Sequence, residues 1–163
     1  MYFYCSNYHD RTYNPRSLKA TVNRVVRYLE KLQKEVKFDA IAFSGTSGAA
    51  IAYPVSVIAG YHLINVRREP YKQHHGTKIE ASGNRKIYRY IILDDFIASG
   101  RTIKSIVRAI KKETAPSSWS RIATEDKPVE CVGVVIYSDQ GDSSKSIQIS
   151  KWKKIPVFMI KVR

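Results

Sequence analysis

The sequence predicts an α/β protein with a mostly parallel, twisted sheet flanked by helices and a small lid or hood. Short apolar runs of strand length alternate along the chain with amphipathic stretches of helical length, which is the pattern of parallel strands joined by helices. A length of 163 residues fits one domain, and 44% apolar residues suffice for a packed core. We therefore expect residues 1–163 to form a single domain.

The first predicted element is a long amphipathic helix ending near Val36. Asn14 is suited to cap it and Pro15 to occupy its first position, and apolar residues then recur at spacings of three and four, leaving a basic outer face. Residues 1–37, which contain this helix, are the candidate hood. A short apolar strand is predicted next, over residues 40–43.

A loop of small residues, 44–48, follows that strand and precedes a second predicted helix that begins at Ala49. Pro54 should kink or shorten this helix because it lacks a backbone N–H. Residues 62–66 are predicted to be a strand. The polar and basic stretch 67–86 is predicted to be a flexible loop with room for a hairpin.

The second half of the chain continues the alternation. Residues 87–93 form a predicted strand, and an amphipathic helix is expected after Gly100. Residues 131–136 are typical of a buried strand, 138–146 are predicted to be loop, and 157–162 form the last predicted strand.

Charge is the strongest signal in the composition. The chain has 28 Lys and Arg against 14 Asp and Glu, a net charge of +14, which is typical of proteins with a polyanionic partner such as nucleic acid or a phosphorylated small molecule. No apolar run has the length of a membrane span, and the first residues lack the features of a signal peptide. Cys5 and Cys131 lie in surroundings typical of buried thiols, which predicts a reducing compartment, the cytoplasm.

The most specific pattern lies between residues 90 and 102. An apolar strand ends in Asp94 and Asp95, and a short turn then begins a helix. Ligands of open α/β sheets lie outside the carboxyl ends of the strands, so the carboxylates and the turn should face one crevice. The first N–H groups of the helix can hold a phosphate, while the carboxylates can bind sugar hydroxyls and a hydrated Mg²⁺. The predicted phosphate turn consists of Ala98, Ser99, Gly100, Arg101 and Thr102.

Two further segments can bind anions. One offers successive backbone N–H groups with little side-chain bulk, as close approach to a diphosphate requires; it consists of Ser44, Gly45, Thr46, Ser47 and Gly48. The other offers positive charge to an anionic ligand; its candidates are Arg67, Arg68, Lys72 and His75. Taken singly, each segment also fits an ordinary turn or a solvated face.

From residue 38 to residue 162 the chain resembles the type I phosphoribosyltransferases. Residues 90–102 resemble their phosphoribosyl pyrophosphate (PRPP) motif, residues 44–48 stand in the place of their pyrophosphate loop, and the stretch after Val66 resembles the basic loop of the orotate and adenine enzymes. The resemblance implies transfer of the 5-phosphoribosyl group from PRPP to a nucleobase, with release of pyrophosphate, a Mg²⁺ cofactor and a homodimer.

The resemblance also implies residue roles. Catalysis would fall to Asp94, Asp95, Arg68, Lys72 and His75. The 5-phosphate would bind to residues 98–102, the pyrophosphate to residues 44–48 with Arg67 and Arg68, and Mg²⁺ to Asp94 and Asp95 through water.

The acceptor base stays open between a purine and an orotate-like base. Phe96 and Ile97 are candidate contacts for its ring. Ala98 stands where hypoxanthine and guanine enzymes place an Asp, which disfavours these bases. The same residue matches the adenine enzymes, but these usually have Arg at the position of Thr46, and orotate enzymes carry more lysine in the flexible loop.

A second function fits the same pattern, namely a PRPP-sensing regulator that binds DNA or RNA. The net charge of +14 exceeds what one small ligand demands, and the predicted helices at residues 18–36 and 103–110 have basic faces. No separate DNA-reading motif is visible in the sequence, so the enzyme is the favoured prediction.

Overall fold

The computed structural model describes residues 14–68, 78–81, 86–114, 129–138 and 145–161. These residues form three helices and seven strands. In chain order they are α1 (Pro15–Glu35), β1 (Ala40–Phe43), α2 (Gly45–Ala59), β2 (His62–Val66), β3 (Ile79–Ala81), β4 (Arg89–Asp94), α3 (Arg101–Glu113), β5 (Glu130–Ile136), β6 (Ser146–Ser150) and β7 (Lys153–Met159).

The strands form one sheet in the order β3-β2-β1-β4-β5-β7-β6. The five central strands are parallel, and β3 and β6 are antiparallel to their neighbours β2 and β7. The chain passes from β1 to β2 in one direction and from β4 to β5 in the other, so the strand order reverses between β1 and β4. The α/β class with a mostly parallel sheet is confirmed, and its reversal point is where open sheets of this kind bind ligands.

Helices cover both faces of the sheet. On one face α3 buries Ile103, Ile106 and Ile110 against the strands. On the other face α1 and α2 pack together, with Leu29 and Ile51 in the same core cluster. Because successive strand residues point to opposite faces, the central strands are apolar at nearly every position.

The cap predicted for α1 is confirmed. The Asn14 side-chain oxygen accepts hydrogen bonds from the backbone N–H groups of Arg16 at 3.0 Å and Ser17 at 3.2 Å, and Pro15 is the first helical residue. Such a cap satisfies donors that have no partner inside the helix. The helix buries its apolar stripe in the core. Its role as a hood stays a prediction, and residues 1–13 lie outside the described residues.

The predicted start of helix α2 is wrong, because the helix begins at Gly45 rather than Ala49. Pro54 does not shorten the helix, which continues to Ala59 and is capped by Gly60, whose φ is +75°. Ile51, Ala52 and Val55 are buried on both sides of the proline. Burial of this apolar stripe outweighs the one backbone hydrogen bond that Pro54 cannot donate.

Two strands also differ from expectation. Strand β6 was not predicted, and its first residue, Ser146, lies in a stretch predicted to be loop. Ile147 and Ile149 alternate with polar residues in this strand. Strand β7 begins at Lys153, before Pro156, and the parallel pairing with β5 starts at Val157. Pro156 therefore lies just before the parallel pairing of β7 with β5, in which a backbone N–H would be needed.

The stretch predicted to be a flexible loop contains strand β3, which pairs antiparallel with β2. The flexibility of the stretch stays a prediction. The remainder of that stretch, residues 69–77 and 82–85, lies outside the described residues, as do 115–128, 139–144 and 162–163. No helix in the described part of the chain has the length and hydropathy needed to cross a membrane.

Candidate functional site

The segment 44–48 and the predicted phosphate turn 98–102 both lie at the carboxyl edge of the sheet. Strands β1 and β4 are neighbours, with Ala42 opposite Ile92. Two residues further on, Ser44 follows the end of β1 and Asp94 is the last residue of β4. Helix α2 begins directly after Ser44, and α3 begins after the short turn that follows Asp94 and Asp95, so both helix N-termini lie at the reversal point.

The carboxylate pair is held by backbone hydrogen bonds. Asp94 is the last residue of β4 and is only 5% exposed. Its Oδ1 accepts a hydrogen bond from the Asp95 N–H at 3.0 Å, and the Asp95 Oδ1 accepts one from the Phe96 N–H at 3.0 Å. The carbonyl oxygens of the two aspartates accept the N–H groups of Tyr137 at 3.2 Å and Ser138 at 3.1 Å. The end of β5 thus fixes the position of both residues.

The environment of Asp94 disfavours its charge. Burial raises the pKa of Asp94 to about 7, and repulsion from the Asp95 carboxylate acts in the same direction. A hydrogen bond from the Asp95 N–H and the guanidinium of Arg68 lower the pKa and offset part of this effect. A cation bound beside the two carboxylates would relieve the repulsion, so the pair is suited to bind one.

Arg68 connects the two segments. A Cβ atom placed on Gly45 would lie 2.9 Å from the Arg68 Cζ, so the guanidinium packs directly against the first residue of α2. The same side chain lines the cleft that contains Asp94. Arg68 therefore places a positive charge between the start of α2 and the carboxylate pair.

The cleft has a volume of about 100 Å³ and opens to solvent. It brings most of the predicted site residues together. Its lining consists of Arg68, Asp94, Asp95, Phe96, Ile97, Ala98, Ser99, Gly100, Arg101, Thr102 and Ile103.

The turn before α3 has the geometry of an anion-binding helix start. Gly100 has a φ of +67°, which lets the chain turn sharply into the helix. Arg101 Nε donates a hydrogen bond to Ser99 Oγ at 3.1 Å. No side chain of the described residues caps α2 or α3, and neither helix has an acidic residue in its first turn. Two helix N-termini therefore present backbone N–H groups and partial positive charge at one edge.

The structure corrects the prediction of a loop at residues 44–48. Gly45, Thr46, Ser47 and Gly48 form the first turn of α2, with only Gly45 and Thr46 accessible and the others buried. A Cβ on Gly48 would lie 3.0 Å from the Phe43 Cβ, so this glycine allows the helix to approach the sheet closely. The segment keeps its N–H groups as the start of a helix.

Other predicted site residues are not brought to the cleft. Arg67 forms an ion pair with Glu80 of β3, and its N–H donates to the Lys78 carbonyl at 2.9 Å. Its assignment to pyrophosphate stays a prediction that requires the Arg67 side chain to leave Glu80. Lys72 and His75 lie outside the described residues.

Tyr137 was missed by the sequence analysis. Its hydroxyl donates to the Ser47 carbonyl at 2.9 Å, which ties the end of β5 to the first turn of α2. Its N–H also donates to the Asp94 carbonyl, so the residue lies beside the carboxylate pair. Burial raises the pKa of Tyr137, and the charges of Asp95 and Asp94 raise it further. The sequence did contain a signal for this role. Tyr137 directly follows an apolar strand, so its hydroxyl can reach the carboxyl edge of the sheet.

A family model described as PRTase-CE matches residues 6–161. The chain belongs to the PRTase-CE family. This match confirms the resemblance to type I phosphoribosyltransferases that the sequence motifs indicated. No curated protein matches the sequence.

Solved structures share the fold of this PRTase-CE chain. Adenine phosphoribosyltransferase from Saccharomyces cerevisiae, in complex with an imino-altritol bisphosphate and adenine, has a TM-score of 0.60 at 16% identity, covering 91% of this chain and 80% of that one. Mycobacterium tuberculosis orotate phosphoribosyltransferase in complex with PRPP has a TM-score of 0.53 at 16% identity, covering 80% and 64%. Leishmania donovani UMP synthase has a TM-score of 0.53 at 22% identity; the matched part is 77% of this chain and 22% of the synthase. At these identities the likeness concerns the fold.

The carboxylates of the PRTase-CE chain fit a Mg²⁺ ion that has few protein ligands. Among the described residues no group of three or more His, Cys, Asp or Glu side chains could enclose a metal. Mg²⁺ is commonly held by one or two carboxylates together with water and substrate phosphates. Asp94 and Asp95 offer that number of oxygen ligands, beside two helix starts that can hold the phosphates.

The contact between Gly45 and Arg68 yields a prediction. Gly45→Ala should displace the guanidinium and weaken pyrophosphate binding by about ten- to a hundredfold, because a hydrogen bond to a charged group contributes about 1.5 to 3 kcal/mol. The φ of +77° adds a loss of stability of about 1 to 2 kcal/mol. Calorimetric titration and urea unfolding measure the two effects. In an Arg68→Ala background Gly45→Ala should cost stability alone; a further tenfold loss of binding there would contradict the contact.

Proposed function

We propose that this chain is a PRPP-dependent phosphoribosyltransferase, which transfers the 5-phosphoribosyl group to a purine or orotate-like base and releases pyrophosphate. One observation carries the proposal: a carboxylate pair, an arginine and the uncapped start of α3 line one cleft at the reversal point of the sheet, and the same arginine packs against the uncapped start of α2. Each of these groups matches one part of PRPP.

The 5-phosphate would bind at the start of α3. The first N–H groups of this helix and the hydroxyls of Ser99 and Thr102 can donate hydrogen bonds to phosphate oxygens. The carboxylates of Asp94 and Asp95 would accept hydrogen bonds from the ribose hydroxyls. The diphosphate would then lie toward the start of α2, where Arg68 supplies a cation.

Catalysis would rest on electrostatics. Departure of pyrophosphate leaves positive charge on the ribose and places negative charge on the leaving group. Arg68 would stabilise the leaving group, while ionised Asp94 and Asp95 would fix the ribose and favour its developing positive charge. Mg²⁺, when bound beside these carboxylates, would neutralise further charge on the diphosphate. Lys72 and His75, four and seven residues after Arg68, are the remaining candidate cations.

The base would approach from the side of Phe96, which is half-buried at the cleft. Ile97 is buried in the core cluster beside α3, so its contact with a base would be limited to the part that lines the cleft. Adenine and orotate are the bases of the enzymes that share the fold. The homodimer and the cytoplasmic location stay predictions.

Pyrophosphate release tests the proposal. PRPP and Mg²⁺ would be supplied with adenine, hypoxanthine, guanine, xanthine, orotate, uracil or a nicotinic-type base, one at a time. We expect release with a purine or with orotate, and none when either PRPP or the base is omitted. A protein that binds PRPP and releases no pyrophosphate with any of these bases would contradict the transferase and favour the PRPP-sensing regulator.

A further inference from the structure

Exposed aromatic rings lie at the edge of the sheet opposite the cleft. Parallel strands begin at one edge and end at the other, and β4, β5 and β7 begin next to one another. Trp152, in the turn before β7, is 86% exposed, and Tyr88, just before β4, is 42% exposed. Neither ring belongs to the site described above.

Backbone and side-chain contacts through Glu130 connect the two segments that carry these rings. The Glu130 N–H donates to the Tyr88 carbonyl at 2.8 Å. Lys153 Nζ lies 3.0 Å from Glu130 Oε1, and Lys153 directly follows Trp152. The backbones at Tyr88 and Trp152 are therefore separated by two strand spacings, on the order of 10 Å. We call this the amino-edge surface; it comprises Lys86, Tyr88, Arg89 and residues 151–154.

The amino-edge surface is positively charged. It has five exposed basic side chains, which are Lys86, Arg89, Lys151, Lys153 and Lys154. Two carboxylates lie beside them. Glu130 pairs with Lys153, and Asp39 Oδ2 accepts the N–H groups of Tyr88 and Arg89, both at 2.9 Å. Positive charge thus exceeds negative charge around both rings.

Trp152 makes a cation–π contact with its neighbour Lys151. Lys151 Nζ lies 4.9 Å from the centre of its ring, which is a cation–π distance. A lysine at this position is close enough to contact the phosphate of a nucleotide whose base stacks on the ring.

We propose that the amino-edge surface binds single-stranded nucleic acid. Proteins that bind single strands combine a basic surface for the phosphates with aromatic rings on which bases stack. Bases in a duplex are stacked on one another, so a projecting ring such as Trp152 favours a single strand. An acidic peptide would use the lysines but has no planar bases for the rings. The surface is distinct from the helix faces at residues 18–36 and 103–110, and its binding requires neither PRPP nor transferase activity.

The test measures binding of a fluorescein-labelled 15-nucleotide thymidine strand to the full chain by anisotropy at 50 and 200 mM salt. Trp152→Ala should weaken binding about tenfold, and Trp152→Phe should restore most of the affinity because it keeps a stacking ring. Lys151→Ala with Lys154→Ala should lower the salt slope by about 0.7 per lysine. Lys31→Ala with Lys34→Ala removes the same charge from the exposed side of α1 and should change neither value.

Three results would overturn the proposal. The first is unchanged affinity in Trp152→Ala, since no base would then stack on the ring. The second is equal binding of poly-glutamate of matched charge, which would indicate an acidic protein partner. The third is tighter binding of a duplex than of the single strand. Trp152→Ala should release pyrophosphate like the parent chain, so this test and that of the transferase fail independently.

Discussion

Replacement of both Asp94 and Asp95 by asparagine should lower pyrophosphate release from PRPP by about a thousandfold or more. Asparagine keeps the shape of each side chain and its carbonyl oxygen, so the hydrogen bonds from the Asp95 and Phe96 N–H groups can persist. It removes the two negative charges that would hold the ribose and the cation. Preorganised charge of this kind commonly accounts for two to four orders of magnitude in rate, by rough estimate.

Initial rates of the parent chain and the double variant measure this effect. The matched control is Glu30→Gln with Glu35→Gln, which removes two exposed carboxylates from α1 and should leave turnover unchanged. Near-ultraviolet circular dichroism verifies that each variant is folded. Turnover above one tenth of the parent value in the folded double variant would contradict the assignment of these aspartates.

Asp94→Asn alone should make the chain more stable at alkaline pH. The pKa of Asp94 rises from 3.8 to about 7 on folding, because burial and Asp95 disfavour its charge. The folded state therefore prefers the protonated carboxyl. This contribution to stability is fully present below pH 3.8 and is lost as the pH rises through 7, and its upper limit is about 4 kcal/mol. The asparagine has no charge to bury and avoids the loss.

Urea unfolding at several pH values measures the prediction. The free energy of unfolding of Asp94→Asn, relative to the parent chain, should rise by about 2 to 4 kcal/mol between pH 4 and pH 8 and level off above. The same comparison for Glu35→Gln, at an exposed position on α1, should vary far less. A constant difference between Asp94→Asn and the parent chain would show that Asp94 ionises in the folded state as easily as in the unfolded state.

Together the two experiments test for a functional site in a way that neither does alone. A carboxylate retained only for structure should stabilise the fold, and its loss should cost stability. Asp94 is expected to do the opposite at alkaline pH, where Asp94→Asn should increase stability while replacement of the carboxylate pair lowers turnover. Such a trade-off is common where function requires a buried charge.

Much of the fold was predictable because its signals are local. The Asn14-Pro15 start of α1 and the short apolar strand β1 depend on residues close in sequence, and both are confirmed. The end of α2 was not predictable from Pro54, because the burial that sustains the helix comes from the sheet beneath it. Strand β6 did carry an alternating pattern, but it is short and half-exposed.

The candidate site likewise has a part that was predictable from local sequence and a part that depends on tertiary contacts. Asp94 and the turn to Thr102 are contiguous, so the sequence predicts their proximity. Arg67 and Arg68 are adjacent but turn to different sides, one to Glu80 and the other to Gly45. Only the register of β2 against its neighbours decides which arginine reaches the cleft. Tyr137 depends likewise on a tertiary contact, its hydrogen bond to Ser47.

The pairing of β1 with β4 bears on how fast the chain folds. Ile41 lies opposite Ile91, fifty residues later, so the two central strands must close a long loop before they can pair. Contacts of such high sequence separation slow folding. The cleft does not exist until this step is complete, so PRPP would find no binding site on the unfolded chain. Its binding would therefore act on the rate of unfolding, prolonging the lifetime of the native state without speeding its formation.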